Sequence, residues 1–572
     1  MRPLGRPGDL FTAFSRITGR AFKDARLVSC PGLSKAPDQG EVLHRFLSDA
    51  PPWKPSFAEL SRIAGRYVLA NCGHFLFMLG TALFLRLLRF PLTPGAWERI
   101  PSAMKTAPPP KGSLRVGADE KKGRPARILL DTFAVSPGIV KEGRYRELYL
   151  QGLEEEASAC GHRVLTLFRL YGNRDPRLLW KTLKILRGKE GVLFEAGLLR
   201  SGDWGRLVLH ILLYPFALAA LIRSLRQVPE NSPQRYIRES LLRGAGQCVL
   251  IGEARRLAAR ALSLDLASAP ADPARIISWY ENQTLNKCFQ RGLADAEALG
   301  APRPFLVGAQ LFIWPDNLLN NHPDDAEAAL GLAPDLVLVN GPHFLPQSST
   351  QNYAVGPALR YAHLFSKGET KRVPGGVPEE VEQGIVGGGA AAGNTYGKSP
   401  QKRPALVLLS YHPAEIERVL RLLLPLAESD PENFVYRFHP ATRPNDYAAL
   451  LPKRARLSEG GLAQALDTAG AVIGAGSGSL AEAAAQGLPV LAVEDASGIP
   501  GMGLNYLPEY GRGKLWAGVK DVREMKESLQ LLHAARLDPQ RPEMVRRFRD
   551  LLFCEPDRER IREAFGLYPQ TV

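Results

Sequence analysis

The stretch AGAVIGAGSGSLAEAAAQGLPVLAVE, residues 469–494, decides how the whole chain is read. Small and β-branched side chains at Ala471, Val472 and Ile473 read as a strand buried on both faces, the kind that parallel sheets use. Three glycines follow at alternate positions, Gly474, Gly476 and Gly478, with Ser477 and Ser479 among them. Such a run makes a tight turn. Residues 480–486, rich in Ala and Glu, predict a helix that Gly487 stops, and Val490 to Val493 after Pro489 predict the next buried strand. The result is a βαβ unit. Its turn gathers free backbone N–H groups, two hydroxyls and the positive end of a helix dipole, a combination suited to a phosphate group. The plainer reading is that the glycines only turn the chain and the serines only cap the helix; this stretch alone leaves both open.

The same alternation of strand and helix recurs on either side. Upstream, PALVLLS (404–410) and NFVYRFHP (433–440) predict strands around a helix at 414–428, and downstream the chain closes with helices near 522–537 and 542–552. Residues 404–572 therefore form one domain. Earlier, RILLDTF (127–133), HRVLTLF (162–168), RIISWY (275–280), PFLVGA (304–309) and DLVLVN (335–340) predict five strands, with helices at 145–159 and 283–299. They define a domain at 127–366, joined to the later one by a Gly-rich linker at 367–403. The expected fold class is α/β, two Rossmann-like doubly wound domains with a basic N-terminal extension and C-terminal helices. Such sheets bind ligands at the carboxyl ends of their strands. Between the early strands, RLVLHILLYPFALAALIR (206–223) is strongly apolar, but His210 and Pro215 interrupt it. It reads as a buried, kinked helix.

Composition narrows the class. At 572 residues the chain is too long for one hydrophobic core. Residues 1–126 carry 20 Lys+Arg against 9 Asp+Glu, which leaves only +4 of the net +15 for everything after them. A nucleic-acid enzyme spreads its basic residues over its main domains, so no nucleic acid is expected as a partner; the excess marks a region that faces a membrane or a partner. Within it, residues 67–85 (YVLANCGHFLFMLGTALFL) hold no charge and are bounded by Arg66 and Arg86. Three readings stand: a membrane span, a helix lying in the membrane interface, and an ordinary buried helix. Peripheral membrane contact is thus expected within residues 1–120. A Pro-rich linker follows at 101–125. The six cysteines, Cys30, Cys72, Cys160, Cys248, Cys288 and Cys554, form no CxxC pair, and no secretory signal opens the chain. Both point to the cytoplasm, at the cytoplasmic face of the inner membrane if the basic region docks there.

His439 and Pro440 stand just past a predicted strand end, on the edge where the glycine turn is expected, and an imidazole there can donate to a phosphate oxygen. A lone histidine at a strand end is otherwise structural; paired with the serine–glycine turn on a neighbouring strand, His439 reads as a phosphate ligand. Together, Tyr436-Arg437-Phe438-His439-Pro440 and Gly476-Ser477-Gly478-Ser479-Leu480-Ala481-Glu482 with Gly487-Leu488-Pro489-Val490 resemble the donor-binding half of GT-B glycosyltransferases. The style is that of bacterial surface-carbohydrate and capsule-type enzymes, including the sialyl- and polysialyltransferases that share an HP motif and a serine phosphate motif. In the earlier half, Trp279-Tyr280-Glu281-Asn282-Gln283, Val307-Gly308-Ala309-Gln310, Asn340-Gly341 and Val355-Gly356-Pro357 are similar to surface-polysaccharide biosynthesis proteins. Those relatives commonly carry a Gln-His pair where this chain has Gln310-Leu311; if that histidine serves acceptor binding or catalysis, this chain uses another group, for which His322 and His343 are near in sequence, or has changed specificity.

The resemblance implies an inverting transfer from a nucleotide sugar to a polysaccharide or lipid-linked glycan acceptor. The acceptor hydroxyl then needs a base, and Glu281, at a strand end of the acceptor-side domain, is the first candidate; its alternative is helix-dipole complementation. Glu142, Glu195 and Asp131 are weaker ones. The leaving phosphate would be held by His439, Gly476, Ser477, Gly478 and Ser479, with Glu482 on a ribose hydroxyl and Gln310 and His343 on the acceptor side. No Asp-x-Asp stands at a strand end, so the reading needs no metal, and no cofactor beyond the nucleotide-sugar substrate is expected. A nucleotide-sugar epimerase, a polyol-phosphate transferase, or a non-catalytic subunit of a polysaccharide assembly would use the same architecture.

Overall fold

Runs of Leu, Ile and Val with few interruptions pair only with one another, and here they build two all-parallel sheets. The computed structural model describes residues 56–93, 127–171, 175–225, 250–268, 274–315, 321–323, 325–346, 351–365, 403–410, 413–440, 442–494 and 506–568. The linker at 367–403 except its last residue, the Pro-rich segment at 101–125 and the basic residues before Ser56 lie outside the described residues.

The first sheet contains β1 (Arg127–Val135), β2 (Arg163–Tyr171), β3 (Val192–Phe194), β4 (Arg275–Trp279), β5 (Phe305–Gln310), β6 (Leu336–Val339) and β7 (Tyr353–Val355), in the order β3-β2-β1-β4-β5-β6-β7. The second contains β8 (Ala405–Leu409), β9 (Phe434–Phe438), β10 (Arg456–Leu457), β11 (Ala471–Gly474), β12 (Val490–Val493) and β13 (Trp516–Val519), in the order β10-β9-β8-β11-β12-β13. Each sheet starts in its middle, grows outward on one side, then returns to grow on the other. The direction reverses between β1 and β4 and between β8 and β11, which is where a doubly wound sheet opens a crevice at its carboxyl edge. The chain thus has two Rossmann-like, doubly wound domains.

The two lobes share a core. Ile313, Trp314 and Tyr361 of the first pack in one cluster with Leu480, Leu507, Trp516, Phe548 and Leu552 of the second. Beyond the helix Arg541–Leu552 the chain returns to the first lobe. Cys554 N–H donates to Asn340 O at 2.7 Å, and Ile561, Phe565 and Leu567 of the closing segment enter the core of the first sheet. Division of the chain at residue 404 therefore assigns its last turn to the wrong lobe: helix Arg558–Phe565 packs on helix Leu153–Ala159, with Arg562 Nε 2.5 Å from Glu156 Oε1. At the crossing, the Gly341 Cα lies directly against the Leu552 backbone, and a Cβ would overlap it. Gly341→Ala is expected to cost about 1–3 kcal/mol through overpacking against main chain that cannot rotate away, measured by chemical denaturation.

Three elements differ from the sequence reading. The helix expected at 145–159 covers only Leu153–Ala159, because Glu147 Oε1 accepts the backbone N–H groups of Tyr149 (2.8 Å) and Leu150 (3.1 Å) and holds residues 145–152 in a turn. The apolar stretch at 67–85 belongs to a longer helix, Phe57–Leu87, started by a Ser56/Glu59 capping box. The helix Ser201–Leu225 runs through Pro215 without ending there, and only one face is buried: Leu207 and Tyr214 are enclosed, while Val208, Leu209, Leu212, Leu213 and Phe216 face outward.

Candidate functional site

The carboxyl edges of the two sheets meet where Gly478, past the end of β11, lies against Ile313, past the end of β5. In the second lobe, β11 ends at Gly474 and the chain turns through Gly476, whose φ of 56° is left-handed. A side chain at Gly476 would also meet the Glu415 carboxylate, the movable end of a flexible side chain, so it is the left-handed turn that calls for glycine. Ser479 N–H donates to Ser477 Oγ at 3.3 Å as the helix Ser479–Ala485 begins, and Ser477, Gly478 and Ser479 are half-buried. The Ser477 hydroxyl keeps its own proton to donate.

His439 is exposed just beyond β9, its N–H donating to Leu409 O at 3.0 Å. It shares the carboxyl edge with the glycine turn but is not beside it. β8 lies between β9 and β11, a separation of roughly 9–10 Å for two strand spacings. The end of β8 fills that gap with residues the motif reading passed over. Ser410 Oγ donates to Glu415 Oε2 at 2.8 Å, and Thr442 Oγ1 donates to Ser410 O at 3.3 Å. The clue was a serine closing an apolar strand with a helix two residues on.

Glu482 is held by the opposite lobe. Its Oε2 lies 3.4 Å from His363 Nε2, which bridges the lobes beside the turn. Glu494 pairs with Arg512 at 2.9 Å, and Arg437 Nη1 donates to Gly460 O at 2.9 Å. Gly478 faces Ile313 of the first lobe; a Cβ there would sit 3.3 Å from the Ile313 Cβ. Tyr361 Oη accepts the Ile313 N–H at 3.3 Å and steadies that loop.

In the first lobe the β1/β4 crevice has a charged floor. Asp131, with no exposed surface, lies 2.6 Å from Arg255 Nη2, 2.6 Å from Ser278 Oγ and 3.3 Å from Arg169 Nε; Arg255 also bonds Glu195. Burial opposes the Arg255 charge, but Asp131 and Glu195 outweigh it and keep the guanidinium above its ordinary range. Asp131 and Glu195 are thereby committed to arginines, and Glu142 is exposed at the end of helix Ser136–Glu142.

Glu281 sits above this floor. Trp279 Nε1 donates to one carboxylate oxygen at 2.8 Å and Gln283 Nε2 donates to the other. It precedes the helix Thr284–Glu297 instead of lying in its first turn, where a Gln283/Asn286 capping box serves the free N–H groups. The bend that presents it contains Asn282 at φ 47°, fixed by the Tyr280 hydroxyl donating to its Oδ1 at 2.8 Å. Around it stand Tyr149, 4.8 Å from the Trp279 ring, and Phe312, 5.4 Å from that ring on another side. Burial raises the Tyr149 phenol, partly countered by Arg360, so the O–H is a donor at neutral pH.

The acceptor-side pair divides. Gln310 ends β5 with no exposed surface; its Nε2 donates to Asn321 O at 2.8 Å, so in this conformation it braces the following loop and does not face the crevice. His343, half-buried in the turn Pro342–Phe344, stacks edge-on to Phe344 at 5.1 Å. His322 Nδ1 lies 3.1 Å from the Tyr353 hydroxyl. Among the described residues, no three His, Cys, Asp or Glu side chains gather as a metal site would require.

No family model matches the chain, and no curated protein matches it. Solved structures do. A UDP-GlcNAc 2-epimerase from Neisseria meningitidis, bound to UDP-GlcNAc, aligns over 77% of this chain and 99% of its own at 12% identity and a TM-score of 0.39. The glycosyltransferase SnogD from Streptomyces nogalater aligns over 77% and 99% at 15% identity and 0.35, and MurG from Acinetobacter baumannii over 78% and 100% at 12% and 0.32. What this chain has in common with them is a distant likeness of two-domain α/β architecture.

Proposed function

We propose that this chain is a glycosyltransferase of the GT-B type that moves a sugar from a nucleotide-sugar donor to a surface-polysaccharide or lipid-linked acceptor, with inversion and without a metal, at the cytoplasmic face of the inner membrane. One observation carries the reading: the glycine turn at the β8/β11 switch point meets, across the interlobe crevice, loops from the carboxyl edge of the first sheet, where Glu281 stands. In this scheme the acceptor oxygen attacks the anomeric carbon and gives its proton to Glu281. The bond from that carbon to the diphosphate oxygen breaks, and the charge left on the phosphate is taken up by the turn N–H groups, Ser477, Ser479 and His439. A phosphate cannot share the turn with the Glu415 carboxylate, so donor binding requires that side chain to rotate away.

Thermal stabilisation by a panel of nucleoside diphosphate sugars tests the donor half. With the best of them, His439→Ala and Ser479→Ala are each expected to weaken binding by roughly tenfold or more, the loss of one hydrogen bond to a charged group. Titration calorimetry that finds both variants binding as tightly as the parent chain would remove the phosphate from this edge.

A further inference from the structure

Eleven of the twenty large hydrophobic side chains exposed among the described residues lie on just two helices. On Phe57–Leu87 they are Val68, Leu69, Leu76, Leu79, Leu83 and Leu87; on Ser201–Leu225 they are Val208, Leu209, Leu212, Leu213 and Phe216. Leu69, Leu76 and Phe216 are 76%, 65% and 73% exposed, and it is their clustering on two adjacent helices that sets them apart from scattered surface hydrophobics. The helices lie side by side and antiparallel: Tyr67 stacks on Tyr214 at 3.8 Å, and Phe75 meets Trp204 edge-on at 5.7 Å. Their outward faces therefore form one apolar surface.

Charge says what covers it. The two helices contain only two acidic residues, Glu59 and Asp203. Glu59 caps its own helix, and Asp203 is buried 2.5 Å from Arg260. Arg62 and Arg66 are exposed at one end of the first helix, Arg86 and Arg89 at the other, and Arg206 on the second. An apolar face rimmed by arginine, with no carboxylate open on it, matches acyl chains flanked by anionic headgroups.

The inner faces decide that the pair lies on the bilayer and does not cross it. Met78 and Leu207 sit in one core with Leu250, Ala254 and Leu257, and Asn71 Oδ1 accepts the Leu250 N–H at 2.7 Å. That supporting helix, Leu250–Ser268, also carries Glu253, Arg255, Arg256 and Arg260 in ion pairs. A span would have to carry this charged body into hydrocarbon.

We propose that the helices Phe57–Leu87 and Ser201–Leu225 together form a docking face for an anionic phospholipid bilayer, lying in its interface. The test is flotation of the full chain with vesicles of equimolar phosphatidylglycerol and phosphatidylcholine, and of phosphatidylcholine alone. The chain is expected to float with both and more strongly with the anionic ones. Leu69→Gln/Leu76→Gln/Leu83→Gln and, separately, Leu209→Gln/Leu212→Gln/Phe216→Gln should each lower partitioning by on the order of a hundredfold while leaving the melting temperature unchanged. Arg62→Gln/Arg66→Gln/Arg86→Gln/Arg89→Gln should abolish the preference for anionic vesicles. Alkaline carbonate should strip the bound protein. Failure of the parent chain to float, parent-like flotation of either apolar triple variant, or retention through carbonate overturns the proposal. So does a dimer in sedimentation velocity that the Leu69/Leu76/Leu83 variant turns into monomer, because a second copy would then occupy the face.

Discussion

Replacing Arg255 by methionine is expected to lower folding stability by about 3–5 kcal/mol, the usual consequence of removing one partner from a buried ion cluster. Arg255 is almost fully enclosed and neutralises two carboxylates, Asp131 and Glu195, of which the first has no exposed surface. With the guanidinium gone, Asp131 keeps Ser278 and Arg169, but the better of its two ion pairs is lost at a site water cannot reach. Since a domain has roughly 5–15 kcal/mol in total, the variant should melt far below the parent chain. Arg512→Met, which breaks the exposed pair with Glu494, is the control and should cost less than about 1 kcal/mol. Equal losses in chemical denaturation would mean that the cluster is not the keystone of the first lobe.

Glu281→Gln should reduce the turnover number by on the order of 10²–10⁴, the range for loss of a positioned general base. The amide is the same size, so the bend at Asn282 should hold and stability should shift by no more than about 0.5–1 kcal/mol. Donor affinity should not change, because the proposed nucleotide contacts lie on the other lobe. A variant that transfers sugar at the parental rate would take Glu281 out of the chemistry, while one that has lost donor binding as well would point to misfolding. The three readouts are rate, melting temperature and donor dissociation constant.

The architecture was legible because its signals are local. Strands such as β1, β5 and β8 are apolar runs with no competing period, and the turn after β11 announces itself by three alternate glycines. Short strands escaped: β3 and β7 have three residues and β10 two, too few to carry a pattern, and β13, of four, was missed as well. The site was half legible. Glu281, His439 and the Ser477–Ser479 turn could be placed at strand ends, yet the order of strands within the sheet could not, so His439 was put next to the turn when β8 separates them. Ser410 and Glu415 were missed for the same reason. The Asp131–Arg255 pair joins residues 124 positions apart and leaves no trace in either neighbourhood. Composition also misled at residues 206–223, where an apolar sequence is equally compatible with a core and with an outward face. The stacking of Tyr214 on Tyr67 and the burial of Leu207 tell which side is inward.

The return of the C-terminus to the first lobe has a consequence for biosynthesis. Arg562 meets Glu156 across a gap of 406 positions, and Phe565 fills the core of a sheet whose strands were translated long before. While the ribosome is still at work, that lobe exposes an uncovered apolar patch that nothing encoded upstream can seal. A nascent chain that stalls or terminates a few dozen codons early would leave the tunnel with this wound open, a natural substrate for chaperones and quality-control proteases.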